Sequence, residues 1–164
     1  MGQYNAKSVS ALNFVLSSGQ NKTGELIYEK WYSFSAEILM GGGRKLKLTP
    51  VGYWNSKIEL KEGSDTLLDF KMGWHGIVIR TFWDGKEENY LLKPKGLLSN
   101  KFLLLDTENR ELAVAETNFK WAKLNFEFTI ETDTAFDDFE NKDLMLLTMI
   151  HCINYYMTMV AVMA

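Results

Sequence analysis

The sequence predicts a mainly β fold: an antiparallel barrel of about ten to twelve strands wrapped around a single buried hydrophobic C-terminal α-helix. Three observations predict it. Residues 144–164, LMLLTMIHCINYYMTMVAVMA, contain no charged side chain, no Gly and no Pro, over a length that makes about 31 Å of helix. A helix apolar almost all round must be buried, either in lipid or inside its own protein. Nearly everything before it reads as short strands punctuated by tight turns. A closed barrel removes the strand edges and supplies the interior such a helix needs.

Thr148, His151, Asn154 and Thr158 recur at spacings of three and four, so they share one face of the helix. In hydrocarbon that stripe lacks partners, whereas a barrel wall can supply them. The competing reading is a C-terminal tail anchor in a membrane.

The strands follow in order. Residues 9–16 are strand-like and end at Ser17, Ser18, Gly19, Gln20 and Asn21. Residues 26–40 are rich in Ile, Tyr, Trp and Phe and bend near Ser33 or Ser35; Gly41, Gly42 and Gly43 punctuate them. Leu46 and Leu48 then alternate with Lys45, Lys47 and Thr49, the period of a half-buried strand, and Pro50 belongs at an end or edge. Residues 53–60 and 66–72 form the next pair, and 74–83 follows. Asp84-Gly85 is a strong hairpin turn, because two-residue primed turns need positive φ. Residues 89–93, 101–105 and 112–117 continue the series. In the last strand Leu124, Phe126, Phe128 and Ile130 alternate with Asn125, Glu127, Thr129 and Glu131. Phe119 and Trp121 have the opposite parity, so a turn or bulge separates them from it. The chain divides into strands over about 8–131, an acidic linker at 132–143 and the central helix at 144–162.

At 164 residues the chain suits one domain with a sizeable core. A net charge of −3 argues against a general nucleic-acid binder, which needs a basic surface. Cys152 is the only cysteine, which excludes an internal disulfide and a cysteine-based zinc site and fits a reducing, cytoplasmic compartment. The N-terminal residues show no secretory signal. Gly2 fails the myristoylation pattern because Ala6 stands where Ser or Thr is required.

Residues 106–133, DTENRELAVAETNFKWAKLNFEFTIETD, and 133–159, DTAFDDFENKDLMLLTMIHCINYYMTM, carry a resemblance. The first is similar to the turn-and-strand phrasing of LURP-one-related chains. The second resembles the acidic lead-in and apolar helix that close phospholipid scramblases. Both belong to the tubby C-terminal-like superfamily, whose members are roughly twelve-stranded barrels around one hydrophobic C-terminal helix. The resemblance covers nearly the whole chain and implies a peripheral association with membrane lipid. It lacks a counterpart of the tubby-like phosphoinositide pocket and of the scramblases' cysteine-rich region. The scramblase resemblance also implies calcium near Asp133, Asp137, Asp138, Glu140 and Asp143, whose hard oxygens suit that ion. The spacing is not an EF-hand. The competing reading is that Asp143 caps the helix while the other acids complement its positive end.

Catalytic chemistry finds little to work with. His75 and His151 are the only histidines, and His151 and Cys152, adjacent on a helix, point about 100° apart. Gly41-Gly42-Gly43-Arg44-Lys45 lacks the Gly-Lys-Ser/Thr ending of a phosphate loop and reads as an inter-strand loop. Two basic clusters, Arg44, Lys45 and Lys47, and Lys93, Lys95 and Lys101, are candidate contacts for anionic lipid headgroups, the second together with Leu97 and Leu98. Each cation adds about 1 kcal/mol near a charged membrane. Solvated strand edges are the competing reading. The expected function is a non-catalytic binding or scaffold module whose partner is an anionic phospholipid or a protein at the membrane. The alternative is a small-ligand or enzymatic barrel with a pocket at its mouth.

Overall fold

The structure, a computed structural model, describes residues 1–10, 13–30, 34–120 and 125–163. Twelve strands form a closed barrel: β1 (Gly2–Ser10), β2 (Asn13–Ser18), β3 (Asn21–Tyr28), β4 (Ala36–Met40), β5 (Lys45–Val51), β6 (Lys57–Glu62), β7 (Asp65–Met72), β8 (Ile77–Thr81), β9 (Glu88–Pro94), β10 (Lys101–Leu105), β11 (Glu111–Lys120) and β12 (Asn125–Thr132). Each strand pairs antiparallel with its neighbours in sequence, and β1 closes on β12 from Gly2 opposite Thr132 to Lys7 opposite Glu127. A short helix, α1 (Thr134–Asp137), leads into the central helix α2 (Lys142–Met163).

Strand β1 is a correction to the sequence reading, which began the strands near residue 8. Its inward positions Tyr4, Ala6 and Ser8 are buried while Gln3, Asn5, Lys7 and Val9 face outward. Small and polar residues hide that alternation in a hydropathy pattern. Residues 9–16, read as one run, divide between β1 and β2. Two further strands are shorter than expected. Tyr53–Asn55 is a 3-10 turn ahead of β6, and β8 starts at Ile77, leaving Trp74 and His75 in a loop. Ser33, Trp121 and Leu124, used above to place a bend and a register, lie outside the described residues.

Inward side chains of alternate parity, including Leu16, Leu26, Ile38, Leu48, Leu60, Phe70, Ile79, Leu104 and Phe128, pack around α2. From Leu144 to Ile153 every helix position is buried, on all faces. The wall lies close against the helix at Gly24, where a Cβ would stand 2.7 Å from Leu147 Cδ1 and 3.1 Å from the Leu39 carbonyl oxygen.

The stretch Lys142–Val162 is long and apolar enough to cross a membrane, yet 56 % of its most apolar window is buried within the protein. The first part of α2 is therefore barrel core, as the sequence predicts. The helix has 22 residues, about 33 Å. A seven-residue strand spans only about 23 Å and tilts in a barrel. The helix outruns its barrel, and Thr158, Val160, Ala161 and Val162 emerge exposed.

Candidate functional site

The antiparallel order sorts the loops between two ends. Helix α2 enters the barrel at one end, beside the turns after β2, β4, β6, β8, β10 and β12. It leaves at the other, beside the connections after β1, β3, β5, β7, β9 and β11. Apart from Met1, the large apolar side chains left exposed among the described residues all lie toward the exit end: Val9, Tyr53, Trp54, Trp74, Leu97, Leu98, Phe126, Val160 and Val162.

Three of the exit loops present their apolar tips by construction. In the β5–β6 loop Gly52 has φ 82° and Trp54 has φ 61° and ψ 27°. The left-handed region is an outlier for a bulky side chain, and here it accompanies a Trp indole that is 88 % exposed. Tyr53 packs edge-on against it with ring centroids 5.8 Å apart. In the β7–β8 loop the Gly73 amide donates to the Gly76 carbonyl at 2.7 Å, so Trp74 and His75 occupy the outer corners of the turn. Gly76 has φ 144°, and a Cβ there would come within 2.3 Å of the Leu92 carbonyl oxygen. In the β9–β10 loop Lys95 N–H donates to Lys101 O at 2.8 Å, and Ser99 N–H to Gly96 O at 3.1 Å. Leu97 and Leu98 are fully exposed between them.

Lys71, Lys93 and Lys95 stand on or beside these loops and have no ion-pair partner among the described residues. Lys101 pairs with Glu116 at 3.4 Å and Lys57 with Glu59 at 3.2 Å. The turns of the entry end are richer in acids: they carry Glu62, Asp65, Asp84, Glu87, Asp106, Glu108 and the acids of 133–140, beside Arg44, Lys86 and Arg110.

The two predicted basic clusters are therefore not one patch. Arg44 and Lys45 sit at the entry end, Arg44 bonded to Glu62 at 2.5 and 3.1 Å and Lys45 paired with Glu37 at 3.3 Å. Lys47 lies beyond them on β5. Strands β6, β7 and β8 separate this group from Lys93, Lys95 and Lys101.

Four of the five acids named for calcium have distinct local settings. Asp133 caps α1, accepting from the Phe136 amide at 2.8 Å. Asp137 accepts from the Thr132 hydroxyl and pairs with the N-terminal ammonium at 3.3 Å. The Thr132 bond, aided by that ammonium, holds its carboxyl below the usual range. Asp138 ends α1. Asp143 lies in the first turn of α2 with Oδ1 buried and unpartnered, and burial raises its pKa against the pull of Lys142. Among the described residues no group of three or more His, Cys, Asp and Glu side chains is placed to hold a metal ion.

Inside the barrel the polar stripe of α2 finds partners in two ways. Thr148 and Thr158 donate back to the Leu144 and Asn154 carbonyls of their own helix. His151 and Asn154 engage the wall through one residue, Tyr28: His151 Nδ1 lies 2.6 Å and Asn154 Nδ2 3.1 Å from its hydroxyl. Asn154 donates to that oxygen, and a single proton lies between the Tyr28 hydroxyl and Nδ1; when Tyr28 donates it, the imidazole proton sits on Nε2. Nε2 is buried and, among the described residues, has no partner within hydrogen-bond distance. Burial lowers the His151 pKa to about 4, against a smaller opposing pull from the Phe34 carbonyl. Cys152 is buried, which pushes its thiol up. A cavity of about 530 Å³ opens beside this trio toward the exit end.

The tip residues Tyr53, Trp54 and Trp74 were missed from the sequence because aromatic residues there read as strand. The available signal was their setting: GYWNS and GWHG place aromatics between residues that favour turns. No family model matches the chain, and no curated protein or solved structure matches it.

Proposed function

We propose that this protein is a non-catalytic module that docks peripherally on anionic membrane surfaces through the exit end of its barrel. One observation carries the reading: Tyr53, Trp54, Trp74, Leu97 and Leu98, each between 83 % and 104 % exposed, crown three neighbouring loops at one end of the molecule. Trp and Tyr favour the headgroup level of a bilayer, where an apolar body and a polar edge are both accommodated. Lys71, Lys93 and Lys95 beside the tips supply attraction to anionic lipid, and the acidic turns face the other way. A protein of net charge −3 is thereby oriented rather than repelled.

Magnitudes decide which effect dominates. Each apolar tip withdrawn from water contributes about 1.5 kcal/mol or more, against about 1 kcal/mol for each lysine near a charged surface. Insertion of five tips outweighs three lysines, so salt weakens docking without abolishing it. The resemblance to the tubby C-terminal-like superfamily supports the same reading, as does the anionic character of the cytoplasmic leaflet for a cytoplasmic protein.

Co-sedimentation with phosphatidylserine-containing vesicles tests it. The protein is expected to pellet with them, and with neutral phosphatidylcholine vesicles far less. Joint replacement of Trp54, Trp74 and Leu97 by Ser is expected to abolish pelleting. Equal recovery of this variant and the wild type with the vesicles would overturn the reading.

A further inference from the structure

We propose that the cavity at the exit end holds one acyl chain of a bilayer phospholipid. The inference rests on the docking reading and names the part of the lipid that the protein takes up.

The lining of the cavity follows one face of α2. His151, Asn154, Tyr155, Thr158, Ala161 and Val162 line it from α2, and their spacings of three and four put them on one face of the helix. That face runs for about 16 Å along the helix axis. Phe14, Phe34 and Phe126 stand opposite. Tyr28 and His151 are buried at the inner part, whereas Thr158, Ala161 and Val162 are exposed at the mouth. A volume of about 530 Å³ falls within the usual range for a small-molecule site.

The lining selects a tail over a headgroup. Among the described residues no charged side chain contributes to it, and aromatic and aliphatic groups dominate. The hydroxyl of Tyr28 is occupied by Asn154 and His151, so it is not free to bind a phosphate or carboxylate. The source follows from continuity. The mouth opens at the same end as the tips of the β5–β6, β7–β8 and β9–β10 loops, and Phe126 and Val162 belong both to the cavity lining and to the exposed apolar set. Tips buried 5–10 Å into an interface, as for amphipathic segments, bring that mouth to the acyl boundary.

Calorimetry on the full chain with twelve-carbon lysophosphatidylcholine, kept monomeric below its micelle concentration, tests the site without a membrane. Saturable one-to-one binding is expected. Ala161→Phe and, separately, Thr158→Phe fill the mouth from exposed positions, and each is expected to weaken binding at least tenfold with an unchanged melting curve. The Trp54, Trp74 and Leu97 to Ser variant is expected to bind the monomer as the wild type does. Absence of saturable binding, or wild-type affinity in both mouth variants, would overturn the proposal. Binding of dodecanoate without lysophosphatidylcholine would overturn the phospholipid assignment. Vesicle docking without monomer binding removes the chain site alone, while monomer binding without vesicle docking removes the docking reading alone.

Discussion

The hydroxyl of Tyr28 on β3 lies 2.6 Å from Nδ1 of His151 in the middle of α2. With Asn154 as the third member, this is a polar link between the barrel wall and an otherwise apolar core. Its loss is more costly than its formation is favourable, because the partners are left unpaired in the interior. Tyr28→Phe is expected to lower stability by about 1–3 kcal/mol. Adding His151→Leu to Tyr28→Phe should recover part of that loss, since an apolar pair leaves less unsatisfied. Denaturant unfolding of the two variants measures both effects.

Acid should weaken the fold through His151. Its pKa in the folded protein, about 4, lies below the ordinary 6.5, so the unfolded chain takes up the proton first. Stability then falls as pH drops from about 6.5 to about 4 and the fall from this group levels off below that. The full effect is about 3 kcal/mol at 1.36 kcal/mol for each pH unit. Comparing wild type with His151→Gln across this window isolates it, because the carboxylates titrate in both. A constant difference from pH 7 to pH 4 would count against a neutral buried imidazole.

Asp143 should act in the opposite sense. Burial raises its pKa, so its folded form favours the proton, and stability from this group is present at low pH and lost as pH rises through its folded pKa. Asp143→Asn is expected to stabilise the protein more at pH 7.5 than at pH 4, read as the difference in melting temperature from wild type.

At Gly24 the wall lies close against the helix. Gly24→Val introduces a side chain where Leu147 and the Leu39 carbonyl already stand, and overpacking of this kind costs about 1–3 kcal/mol. Its melting temperature should fall. Gly41→Ala, where a Cβ meets nothing within 4 Å, should leave it nearly unchanged.

Trp54 combines a left-handed backbone with a fully presented side chain at the proposed docking face. A left-handed conformation at φ 61° costs about 1 kcal/mol or more for an ordinary residue and suits Asn far better. Trp54→Asn is therefore expected to hold or raise the melting temperature while lowering the affinity for anionic vesicles. A variant less stable than wild type and unchanged in vesicle binding would argue against both roles.

The two basic clusters should separate in vesicle binding. Lys93→Gln with Lys95→Gln is expected to weaken docking several-fold at low salt and less at high salt. Arg44→Gln with Lys45→Gln, at the far end and already paired with Glu62 and Glu37, should leave docking unchanged.

The central helix and the closed barrel were legible in the sequence, because both follow from short-range patterns. A segment without charge, Gly or Pro at 144–164 must be enclosed, and alternation such as Phe128 to Glu131 dictates which side faces in. Turn chemistry located most loops, including Asp84-Gly85, where φ is 51° and 72°. Alternation failed where inward residues were small or polar, as in β1. It misled where aromatics sat in turns, as at Tyr53, Trp54 and Trp74.

What the exposed residues do together was decided only by the tertiary structure. Tyr53, Trp74 and Leu97 are far apart along the chain, and no local pattern relates them. An up-and-down barrel sends every second connection to the same end, so alternate loops become neighbours and the molecule acquires an apolar, basic face and an acidic one. The same rule parts Arg44 and Lys45 from Lys93 and Lys95. A net charge of −3 is a property of composition, but its separation toward the two ends of the barrel is a property of the closed sheet.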